Sequence, residues 1–173
     1  MAARTPSQTV GPFFHEALRW KDAGRVEFAE AGRRLVVEGS LTDGAGQPVT
    51  DALIETWQLS STGRTPAAAT GGANPHGFGR VESTRDGTFR VETSMPGGAF
   101  PAIEFTIFAR GLLKPLRTRA YLIPEAEARK DPALQSLASS PRIATLVAHR
   151  AAEGAFRWDI RLQGDGETIF FEA

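Results

Sequence analysis

Near the end of the chain, Phe156, Trp158, Ile160 and Leu162 alternate strictly with Arg157, Asp159, Arg161 and Gln163. A side-chain period of two belongs to the β-strand, so this run predicts a strand with one buried and one wet face. The same period recurs at 34–41, where Leu35, Val37, Gly39 and Leu41 share a face opposite Val36, Glu38 and Ser40. Further strand-like runs lie at 52–59, 80–85, 88–93, 104–110, 117–123 and 167–172. Turn residues separate them. A Gly/Asp/Pro cluster fills 42–48, Asp86-Gly87 predicts a hairpin between the runs flanking it, and Gly164-Asp165-Gly166 precedes the last run.

One helix is expected, at 124–130, where a leading Pro, early Glu and later Arg and Lys match the helix macrodipole. The apolar run 142–149 fits neither period. Strands and helices do not alternate, which argues against a parallel sheet. The expected fold is therefore all-β: an antiparallel β-sandwich with long loops at 60–77 and 95–101, one short helix and an extended N-terminal arm over 1–33. The arm carries no sustained period apart from a short helical turn expected near 16–21, and Pro6, Gly11 and Pro12 suit extended backbone. A single domain spanning 1–173 is expected at this length. Trp57, Phe89, Phe105, Phe108, Phe156 and Trp158 are its expected aromatic core.

Composition narrows the chemistry by exclusion. The chain has no Cys, which removes disulfide scaffolds, thiolate metal sites and Cys nucleophiles. Twenty Lys and Arg balance twenty Asp and Glu, with no basic block of the kind a nucleic-acid binder needs. No apolar run reaches the roughly 18 residues of a membrane span, and no charged arm leads an apolar segment as in a secretory signal. A cytoplasmic protein without nucleic-acid or membrane partners is expected. The Gly-x-Gly triplets at 44–46, 77–79 and 164–166 do not open helices, so they read as turns rather than phosphate loops. The three His (His15, His76, His149) lie in remote segments, and Tyr121 is the single Tyr. Local motifs alone stop at an all-β domain.

Longer blocks carry a resemblance. Thr5-Pro6-Ser7-Gln8-Thr9-Val10-Gly11-Pro12-Phe13-Phe14, then Gly44-Ala45-Gly46-Gln47-Pro48-Val49-Thr50-Asp51-Ala52 leading into Glu55-Thr56-Trp57-Gln58, resemble the opening segments of the intradiol ring-cleaving dioxygenases. Gly77-Phe78-Gly79-Arg80-Val81, Asp86-Gly87-Thr88-Phe89-Arg90, Met95-Pro96-Gly97 and Phe156-Arg157-Trp158-Asp159-Ile160 follow in that family's order. Ile107-Phe108-Ala109-Arg110-Gly111 and 164–171 are similar to the alpha-type chain of those members built from related alpha and beta chains. The resemblance implies a β-sandwich subunit of an enzyme of aromatic catabolism that opens 3,4-dihydroxybenzoate with O₂. It also implies a non-haem Fe(III) held by two Tyr and two His, a set in which hard phenolates stabilise the ferric state.

The iron-ligand positions of that pattern are degenerate here. Thr65 follows Gly63-Arg64 where the first Tyr is expected; Ala102 and Glu104 stand in the His-x-His positions; Gly97-Gly98-Ala99-Phe100 holds no second Tyr. Tyr121 lies outside these positions. The resemblance therefore implies a chain with no catalytic residue and no iron of its own, paired with a beta-type chain that carries Fe(III) in a higher-order alpha–beta oligomer. Its implied contribution is to line the substrate pocket with Thr9, Gly11 and Pro12 of the arm and to offer Arg119, or Arg117 on the same strand face, to the substrate carboxylate. A guanidinium suits that task because it forks onto a carboxylate and keeps its charge. The alternative class is a stand-alone β-sandwich binding or carrier module.

Overall fold

The computed structural model describes residues 11, 18, 22–26, 33–65 and 77–172. Two sheets face each other. The first contains β1 (Arg34–Thr42), β4 (Thr88–Ser94), β7 (His149–Ala152), β8 (Ala155–Arg157) and β9 (Ile160–Arg161), ordered β4-β1-β8-β7 with β9 also on β1. The second contains β2 (Leu53–Trp57), β3 (Phe78–Glu82), β5 (Ala102–Phe108) and β6 (Leu116–Tyr121), ordered β3-β2-β5-β6 and antiparallel throughout. Period-two side chains from both sheets meet between them. Val37, Leu41, Phe89, Ile103, Phe105, Ile107, Phe156 and Trp158 are buried there, and Phe105 packs its ring 4.8 Å from Trp158 and 5.9 Å from Phe89. The sandwich expected from alternation is what forms.

Three expectations about the strands need correction. The run 156–163 is not one strand: it breaks at Trp158-Asp159 into β8 and β9, which both run parallel to β1. The first sheet is therefore mixed. At the break, Trp158 N–H donates to Glu38 O at 2.8 Å, and the Asp159 carboxylate accepts the Ser40 N–H at 2.8 Å. The side chain thus takes the place of a ladder carbonyl. Gly39 makes this approach possible, since a Cβ there would overlap the Trp158 carbonyl oxygen.

The Asp86-Gly87 turn forms, with Gly87 N–H donating to Thr84 O at 2.9 Å and Thr84 N–H to Thr88 O at 2.8 Å. Its flanking strands do not pair as a hairpin. β3 joins β2 and β4 joins β1, so the turn carries the chain from one sheet to the other. The last expected strand is reduced to a bridge between Phe171 and Arg117. The apolar run 142–149 forms a 3-10 helix (Pro141–Leu146) followed by the start of β7.

The expected helix is short. α1 (Glu125–Ala128) starts at Pro124 and leads into a 3-10 helix (Pro132–Leu137) capped by the Asp131 carboxylate, which accepts the Ala133 N–H at 2.8 Å. These segments bury a second cluster, with Tyr121, Ala128, Leu134, Ile143, Leu146 and Ile169 at its centre. Among the described residues no helix is long and apolar enough to cross a membrane.

Candidate functional site

A transverse row of side chains builds the site. Trp57 on β2 is in register with Phe78 on β3 and with Glu104 on β5, and Glu104 is in register with Arg119 on β6. The alternation that buries Ile103 and Phe105 between the sheets turns Ala102 and Glu104 to the other face of the second sheet. There they line a pocket of about 400 Å³ with Trp57, Gln58, Leu59, Thr65, Gly97, Phe100 and Arg119. Trp57, expected in the core, is instead 45% exposed and stands beside the Phe78 ring at 4.8 Å.

Two loops complete the wall. Gly97 N–H donates to Ser60 O at 2.8 Å, and Gly97 lies so close to Ser61 and Gly63 that any Cβ would overlap their backbone. The Gln58 amide is buried, donating to Ser94 O at 2.9 Å and accepting from Thr93 Oγ1 at 2.7 Å. Its orientation is thereby set by the sandwich rather than by the pocket.

The polar floor is an ion-pair network. Arg119 Nε donates to Glu104 Oε1 at 2.5 Å, while Nη1 donates to Tyr121 Oη and to Asp131 Oδ2, both at 3.0 Å. Tyr121 Oη donates in turn to Asp131 Oδ2 at 2.6 Å. Burial disfavours the Arg119 charge, but Glu104 beside it and the Tyr121 hydrogen bond outweigh that, so its pKa is raised and it stays a cation. Burial, then the hydrogen bond to Asp131, raises the Tyr121 pKa well above its ordinary value. Tyr121 is a neutral phenol, not a phenolate.

Thus three of the degenerate ligand positions, Thr65, Ala102 and Glu104, converge with Arg119 on one pocket. Gly11 is exposed, with open space where a Cβ would project. Thr9 and Pro12 lie outside the described residues, as do His15 and His76. His149 is exposed on β7 of the other sheet. Arg117 is exposed and makes no ion pair among the described residues. Sequence reasoning missed Asp131 as a member of the site. Its one signal was Asp131-Pro132, the start of a capped helical turn; the Tyr121 contact spans ten residues and has no local signature.

The donor set does not fit a ferric ion. Ala102 offers no ligand atom, Thr65 offers a neutral hydroxyl, and the Glu104 carboxylate already faces a guanidinium. No group of three or more His, Cys, Asp or Glu side chains placed to hold a metal occurs among the described residues.

The dioxygenase family model matches residues 9–104. The chain is 35% identical, over 97% of its length and 96% of the relative's, to the protocatechuate 3,4-dioxygenase alpha chain of Pseudomonas putida. It is 36% identical to the Burkholderia cepacia alpha chain, covering 98% and 97% of the two, and 27% identical to the beta chain of that organism, covering 94% and 77%. The protein belongs to the intradiol ring-cleavage dioxygenase family, whose members are Fe(III) enzymes. The fold agrees: the dioxygenase domain of a carbohydrate-binding fusion from Streptomyces sp. SirexAA-E superposes with a TM-score of 0.57 at 22% identity, covering 94% of this chain and 99% of that one. An intradiol dioxygenase from Tetranychus urticae gives 0.61 at 16% identity, covering 80% and 84%.

Proposed function

We propose that this chain is the iron-free alpha-type subunit of a protocatechuate 3,4-dioxygenase, working with a beta-type chain that carries the Fe(III) ligands. The complex adds both atoms of O₂ to 3,4-dihydroxybenzoate, opening the ring between its hydroxyl-bearing carbons to give 3-carboxy-cis,cis-muconate. The observation that carries this reading is a conjunction. Similarity to alpha chains over 97% and 98% of the chain coincides with a pocket in which Thr65, Ala102 and the Arg119–Glu104 ion pair offer no fit for a ferric ion. The chain then contributes surface rather than chemistry.

In this reading Thr9, Gly11 and Pro12 line the partner's substrate pocket. The open space at Gly11 supports it, because backbone without a side chain can approach a ligand closely. The arginines of β6 supply the cation for the substrate carboxylate. Arg119 has one N–H left after its contacts with Glu104, Tyr121 and Asp131, and exposed Arg117 adds a second charge two residues away on the same face. The enzyme acts in the cytoplasm, without nucleic-acid or membrane partners.

Co-expression with a homologue bearing paired Tyr and His-x-His tests the whole reading. The expected result is a coloured complex that consumes O₂ with protocatechuate, while this chain alone is colourless and inactive. Within that complex, Arg119→Ala or Arg117→Ala raises KM roughly tenfold or more for protocatechuate but not for uncharged catechol, as loss of a charge-assisted hydrogen bond requires. Failure to associate overturns the subunit reading and leaves a free-standing binding module. Equal KM changes for both substrates remove the carboxylate role from these arginines.

A further inference from the structure

The pocket's floor is organised around a positive charge that the chain supplies itself. Three oxygens from three places in the fold converge on one guanidinium: Glu104 Oε1 from β5 at 2.5 Å, Tyr121 Oη from β6 at 3.0 Å, and Asp131 Oδ2 from the turn before the 3-10 helix at 3.0 Å. Nε and Nη2 both serve Glu104, and Nη1 serves the other two, so four of the five guanidinium N–H groups are engaged. The Arg119 and Asp131 side chains are 25% and 10% exposed, so that pair is withdrawn from solvent, while Glu104, 40% exposed, is the outer partner.

We infer that Arg119 is the resident cation of this pocket: its guanidinium balances Glu104 and Asp131 in the place a metal ion would take, and so keeps the pocket metal-free. Without Arg119, Glu104 in the pocket lining and the buried Asp131–Tyr121 pair behind it lose the cation they share. Unpaired carboxylates in such a place are relieved by taking up a proton or, where oxygen ligands converge, a hard cation. Thr65 and Ala102 on the other walls add no charge of either sign. The degenerate positions therefore form a rebuilt site. Loss of the ligands at Thr65 and Ala102 goes with a basic side chain that satisfies the remaining acids. The inference rests on the geometry of this chain alone and stands or falls independently of any partner.

The full chain decides it, with Mn²⁺ as probe and calorimetry plus thermal unfolding as readouts. Arg119→Met keeps the aliphatic stem and removes the charge. The expected result is saturable Mn²⁺ binding roughly tenfold or more tighter than to the wild type, in the weak range of few-ligand oxygen sites, with a melting temperature that rises on adding the metal. Arg119→Met combined with Glu104→Gln loses that binding, and Arg119→Lys excludes the metal as the wild type does. A folded Arg119→Met chain with no gain in Mn²⁺ affinity overturns the inference, as does wild-type binding of equal strength. If Arg119→Met does not fold, Arg119→Lys decides: restored folding supports a resident charge, and a Lys chain equally unable to fold assigns Arg119 to packing and overturns it.

Discussion

The two apolar clusters of this molecule are held by different means. The cluster between the sheets is made by strands whose backbones satisfy one another, so its side chains need only pack: Val37, Phe89, Phe105 and Trp158 fill it with no polar group among them beyond the Trp158 indole N–H, which donates to Thr145 O at 2.9 Å. The cluster around Tyr121 lies under α1 and two 3-10 helices, which leave backbone groups without ladder partners. Side chains make up the deficit. Asp131 and Ser140 cap the two 3-10 helices, Thr118 Oγ1 donates to Ile169 O at 2.8 Å, and Thr145 Oγ1 accepts the Ile169 N–H at 3.2 Å. Irregular cover costs polar residues, and those residues are then at hand to build a charged pocket floor.

The largest test of this contrast is Phe105→Ala. It removes the ring that contacts both Phe89 and Trp158 at the centre of the regular cluster. A cavity there is expected to cost about 3–5 kcal/mol, measured by chemical denaturation. A smaller effect follows from Tyr121→Phe, which keeps the buried ring but deletes one hydroxyl. Asp131 loses its 2.6 Å donor while retaining Arg119, so a cost of about 1–2 kcal/mol is expected. If Tyr121→Phe destabilises as much as Phe105→Ala, the second cluster is held mainly by its hydrogen bonds, and the contrast drawn between the two regions is too mild.

The same contrast explains how much was legible beforehand. The period of two located β1 and the inward faces of β4 and β5, because a strand's pattern is written within the strand. The block resemblance marked Thr65, Ala102 and Glu104 as one degenerate ligand set but assigned Arg119 to the partner's pocket, so their meeting in one pocket was not legible. Partners across sheets were not legible. Nothing local says that 80–82 and 88–94 join different sheets, since the Asp86-Gly87 turn closes identically whether its strands pair or part. Nor does alternation at 156–163 reveal a break, which depends on Gly39, more than a hundred residues earlier, admitting the Trp158 carbonyl. Tyr121 and Asp131 were invisible as a pair for the same reason: their meeting is set by the 3-10 cover, not by spacing.

The break at Trp158-Asp159 gives the smallest and most discriminating prediction. Asp159 does for the regular region what Asp131 does for the irregular one, accepting Ser40 N–H and Ser40 Oγ at 2.8 and 2.7 Å and facing Arg157 at 2.6 Å. Desolvation pushes its pKa up, but the hydrogen bonds from Arg157 and Ser40 outweigh it and hold the carboxyl below its usual range. A carboxylate depressed in the folded state contributes stability above the unfolded value, roughly pH 4, and loses it as pH falls through the folded value. Asp159→Asn keeps an acceptor for Ser40 and removes only the charge. With the side chain 54% exposed, screening limits the expected loss at neutral pH to about 0.5 kcal/mol. Thermal unfolding from pH 7 down to pH 2 should show the gap between wild type and variant constant above about pH 5 and closing below roughly pH 4. A gap that widens in acid would mean that the carboxyl is held by burial rather than by Arg157 and Ser40, and the likeness between the two aspartates would fail.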